Sequence, residues 1–155
     1  PDRSMLLTTL STGKVLMWDA PNMNVQTTIT PASGSATDAK FSKNNTIFCI
    51  ATSTSMVYVY NSTSPYSLLA TITGGIGSGY VQIDTSYDGN LILICGGSSN
   101  LVKVYNISSS TFVSSFSYSN AYTCKFSPDL NKIIVAATTS SSLDYFQLAG
   151  TPIWT

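Results

Sequence analysis

The apolar positions of this chain come in short runs separated by Ser, Thr, Asn or Gly. Residues 91–95, Leu-Ile-Leu-Ile-Cys, are continuously apolar and end at Gly96-Gly97. A run this short, closed by glycines, predicts a strand buried on both faces rather than a helix. Residues 101–105 alternate instead, Val102 and Val104 against Lys103 and Tyr105, which is the two-residue period of a pleated strand. Upstream, residues 80–86 read as a further strand, and Asp88-Gly89 supplies the tight turn that follows it. Nowhere does the pattern take a helical period of useful length.

The unit recurs. Trp18-Asp19, Tyr60-Asn61, Tyr105-Asn106 and Phe146-Gln147 align at spacings of 42, 45 and 41. Phe41-Ser42, Thr85-Ser86 and Phe126-Ser127 align at 44 and 41. The apolar runs beginning at Phe48, Ile92 and Ile133 keep the same step. One period of about 40–45 residues held by three anchors predicts four-stranded propeller blades. The expected strands are 5–10, 14–19 and 25–30, then 36–42, 46–52, 56–61 and 67–73. A third group follows at 80–86, 91–96, 101–106 and 111–117, and a fourth at 121–127, 132–138, 143–148 and 151 onward. The fold class is therefore all-β, a β-propeller of about three and three-quarter blades in one unit, 1–155. Its parts are a blade remnant at 1–30 and blades at 36–73, 80–117 and 121–155.

Phe126-Ser127-Pro128-Asp129 and Met17-Trp18-Asp19, with the order of strands between such motifs, resemble WD40 repeats along the whole chain. YVTN-type propeller repeats are the near alternative. The family's Gly-His pair is absent, one repeat alone carries Trp-Asp, and the turns at 53–55 and 98–100 lack the structural Asp. The family's His–Ser/Thr–Asp–Trp hydrogen-bond network is therefore not expected. The resemblance implies a non-catalytic scaffold for protein–protein interaction or assembly. Pro1-Asp2 aligns with Pro128-Asp129, so the first blade is expected to lack its innermost strand while the last holds its own outer one. An open arc belonging to a larger propeller follows, its partners coming from the same polypeptide or a neighbouring chain.

Composition narrows the chemistry. Charged residues are 9% of the chain, with seven Lys plus Arg balanced by seven Asp, and there is neither His nor Glu. Without His, Ser-His-Asp, Cys-His and His-metal arrangements are impossible. The neutral balance lacks the basic footprint of a nucleic-acid binder, and no apolar run is long enough for a membrane-spanning helix. The chain is read as no enzyme, with no catalytic residue, metal site or cofactor. Gly74 to Gly79 lacks the Gly-Lys-Ser/Thr ending of a phosphate loop and is read as a flexible connection. Asp2, Asp88 and Asp129 take equivalent positions and are read as turn formers, too far apart around a ring to share an ion. Cys49, Cys95 and Cys124 are an odd set with wide spacing, each in an apolar strand, and are expected as buried free thiols.

Two surface features remain. Tyr80, Tyr118 and Tyr122 lie near the connections between blades and form the expected partner surface, since exposed Tyr is enriched at interfaces. Asn44, Asn61 and Asn106 begin N-x-Ser/Thr sequons and are candidate glycosylation sites. With 45 Ser and Thr in 155 residues, the sequons and the low charge also fit an extracellular or cell-surface structural propeller. A propeller hydrolase or lactonase fits least, because such enzymes gather carboxylates or His around the central channel.

Overall fold

The computed structural model describes residues 4–73, 75, 77–137 and 143–148, and the backbone of 152–154. The chain is all-β, without a helix among the described residues, and its strands form four antiparallel sheets. Strands β1 (Met5–Thr9), β2 (Val15–Asp19) and β3 (Asn24–Ile29) make the first sheet. The second holds β4 (Ala36–Phe41), β5 (Ile47–Thr52), β6 (Val57–Asn61) and β7 (Leu68–Ile72). The third holds β8 (Val81–Thr85), β9 (Leu91–Gly96), β10 (Leu101–Asn106) and β11 (Thr111–Ser117). The fourth holds β12 (Ala121–Phe126), β13 (Lys132–Ala137), β14 (Leu143–Gln147) and β15 (Pro152–Trp154). Every sheet is a meander, each strand pairing with the next in sequence. The expectations placed on Asp2, on residue 138 and on the chain ends at 1 and 155 lie outside the described residues.

Three cores sit between successive sheets. Val15 and Met17 of β2 meet Phe48 and Ile50 of β5. The other face of β5, Ile47, Cys49 and Ala51, meets Ile83 of β8 and Ile92 and Ile94 of β9. In turn Leu93 and Cys95 meet Cys124, Ile133 and Val135 of the fourth sheet. Strand alternation thus splits β5 and β9 between two cores each. That is why every residue of β5 is buried and why the apolar run at 91–95 has no polar face. The outer sheets differ: Val15 and Met17, and Ile133 and Val135, are buried, while Leu16 and Ile134 beside them are half-buried. In β6 burial does not alternate, since Tyr58 is buried along with Val57 and Val59. Among the described residues, no substantial strand contact joins the first sheet to the fourth.

The repeat has a structural counterpart. Trp18, Tyr60, Tyr105 and Phe146 each stand at a register shift in their strand's pairing with the last strand of the sheet. Such shifts re-aim the strand and raise its local twist. The turn between the first two strands is also built alike three times. Ser42, Ser86 and Ser127 donate to Asn44, Asp88 and Asp129, and their hydroxyl oxygens accept the amides of Ile47, Leu91 and Lys132. Asp88 and Asp129 are therefore turn formers, as expected, and the internal bonds hold both carboxyls below their ordinary range. The turn of the third sheet also docks on the second: Asn44 donates through its amide and side chain to Tyr87 and Asp88 carbonyls.

Candidate functional site

The first strand of each four-stranded sheet is an edge, and an unprotected edge invites pairing with another chain. Here side chains from the neighbouring sheet occupy it. An Asp38 oxygen accepts the Ile83 amide at 3.1 Å, Thr37 donates to the Val81 carbonyl at 2.7 Å, and Thr85 donates to the Phe41 carbonyl at 3.2 Å. One step further, Asp84 accepts the Phe126 amide at 2.9 Å and lies 3.6 Å from the Lys125 ammonium. Burial lifts the Asp38 carboxyl above its ordinary value, against the opposing pull of the Ile83 amide, Lys40 and Lys125. The row Asp38, Lys40, Asp84 and Lys125 balances its own charge. Its signal was present in the sequence: each of these first strands carries two polar residues two apart, Asp38 and Lys40, Gln82 and Asp84, Thr123 and Lys125.

Tyr80, just before β8, and Tyr122, second in β12, come together. Their rings stack with centroids 5.4 Å apart and planes 16° apart, and each residue is 48% exposed. Burial raises the Tyr80 phenol, with Tyr122 and Asp38 acting in the same direction. The pair borders an open depression of about 460 Å³, lined also by Ser78, Ser98, Asn100 and Asn120. None of these side chains is charged, so the depression offers aromatic area and neutral donors and acceptors. Tyr118 points elsewhere. Its ring packs edge-on against Phe146 at 5.6 Å, and its hydroxyl donates to Asp144 at 2.6 Å.

The sequon residues are all half-buried, Asn44 in a turn and Asn61 and Asn106 at the last positions of β6 and β10. Asn44 accepts from Ser42 and Thr46 and donates through Nδ2 to the Asp88 carbonyl. Asn61 accepts from the amide and hydroxyl of Thr63, and Asn106 from the Ser109 amide. Only Asn44 thus has its side-chain nitrogen tied to a neighbouring sheet among these three.

Among the described residues, no three or more Cys or Asp side chains gather as a metal site. No helix there is long and apolar enough to cross a membrane. The three thiols are buried and unbridged. The Trp18 indole donates to the Thr8 hydroxyl at 2.8 Å, across β1 and β2. Comparison with known proteins finds no matching family model and no matching curated protein.

Proposed function

We propose that this chain is a run of WD40-like propeller blades that serves as a non-catalytic scaffold for a protein partner. The observation that carries the reading is the exposed Tyr80–Tyr122 stack over a neutral depression. Stacked Tyr supplies rigid contact area with little side-chain entropy to lose, and its hydroxyls can bond at the rim. The repeated turn, the register shift at each aromatic anchor and the serial cores support the propeller part. The outer faces of the end sheets, with Leu6 and Leu16 on one and Ile134 and Leu143 on the other, favour further blades covering them.

A photo-reactive side chain at position 80 tests the partner surface. It should cross-link a discrete protein, and Tyr122→Ala should reduce the yield at least tenfold. Equal labelling from position 25, on the exposed outer strand β3, would overturn the reading.

A second reading, an extracellular structural propeller carrying glycans, is favoured by Asn61 and Asn106. Their side-chain oxygens hold turns, while their nitrogens are not tied to another sheet as that of Asn44 is. Intact mass of protein from its native source separates the readings, since an unmodified mass removes the support for this one.

A further inference from the structure

Cys95 near the end of β9 and Cys124 in the middle of β12 are 0% and 1% exposed and belong to one core. Strands β9 and β12 pack directly on each other although they lie in different sheets. In that shared core, Cys95 is the neighbouring group that acts on the Cys124 thiol. The Asp84–Phe126 bond ties β8, the partner of β9 in its sheet, to β12 along the same seam. Cys49 lies in a different core, between the second and third sheets, and serves as an internal control.

We propose that Cys95 and Cys124 are an oxidisable pair that closes to a disulfide across the third and fourth sheets when the chain folds against a small disulfide oxidant such as glutathione disulfide. One cysteine thiolate attacks a glutathione sulfur and releases a glutathione thiolate, which takes a proton. The second cysteine thiolate then attacks the protein sulfur of the mixed disulfide and releases the other glutathione. Two protons and two electrons pass from the cysteines to the oxidant, and one protein S–S bond forms. In the finished fold both thiols are closed off from solvent, so the exchange belongs to folding or to an opening of the β9–β12 seam. Burial, with Cys95 beside it, also pushes the Cys124 thiol up, which keeps that thiol inert once folded. The bridge would enclose β10 and β11, a loop long enough for a cross-link to restrict the unfolded chain substantially.

The test unfolds the full chain with reductant, refolds it in a glutathione redox buffer, alkylates free thiols and maps the peptides. The expected product is two hydrogens lighter, carries a Cys95–Cys124 linked peptide and takes one alkyl group, at Cys49. Its thermal midpoint should fall by about 10 °C on reduction. Cys49→Ser should keep the link, and Cys124→Ser should lose both the link and the sensitivity to reductant. Should Cys124→Ser fail to fold, the wild-type and Cys49→Ser arms decide alone. Three alkylated thiols in refolded wild-type protein, or links to Cys49 as frequent as those between Cys95 and Cys124, would overturn the proposal.

Discussion

The Asp38 carboxylate on β4 accepts the backbone amide of Ile83 on β8 at 3.1 Å, so one sheet's first strand is held to the next through a side chain 45 residues earlier in the chain. Burial raises the Asp38 carboxyl. A group raised in the fold contributes most when protonated: its contribution is full below the ordinary value of 3.8 and is lost as pH rises through the folded value. Asp38→Asn keeps an oxygen for Ile83 and removes the buried charge. Its urea midpoint should therefore exceed wild type at pH 7, and the difference should shrink toward pH 3. A lower midpoint at pH 7 would show that Lys40 and Lys125 outweigh burial.

Ser86 is fully buried and joins the Leu91 amide to Asp88. Ser86→Ala leaves that amide without its partner and should cost about 1–3 kcal/mol in chemical denaturation. The Ser86 hydrogen bond is also the largest cause holding the Asp88 carboxyl low. Stability from Asp88 is present above its ordinary value and lost as pH falls through the folded one. In the variant, the Asp88 titration followed by NMR should move upward and this acid dependence should weaken.

Gly89 has a φ of 76°, and a Cβ there would come 2.8 Å from Ile47 Cγ1 in the neighbouring sheet. Gly89→Ala therefore meets backbone strain and crowding together. About 1–3 kcal/mol of destabilisation is expected, read from the thermal midpoint. A neutral result would show that the turn can leave its seat on the second sheet.

The Trp18–Thr8 bond is open to a double-mutant cycle. Trp18→Phe and Thr8→Val each remove it, so the pair should show a coupling of about 0.5–1.5 kcal/mol. Zero coupling would reduce Trp18 to a packing residue.

The repeat was legible in the sequence because its aromatic anchors mark register shifts, which recur wherever the strand must turn. The continuous runs at Phe48 and Ile92 were legible because a strand shared by two cores has no polar face to show. Distant pairings were not. Asp38 meets Ile83, and Cys95 meets Cys124, through the angle between sheets, which no local pattern records. Tyr118 illustrates the same limit, since its hydroxyl turns to Asp144 while Tyr80 and Tyr122 stay outside. The polar pairs on the first strands were visible as residues, but their partners were not.

Because β5 and β9 each belong to two cores, the sheets are coupled like a row of nearest neighbours. Opening at either outer sheet costs one interface, whereas opening in the middle costs two. Amide hydrogens of β5 and β9 should therefore exchange with solvent most slowly, and those of β1 and β14 fastest, in a graded profile rather than a single block.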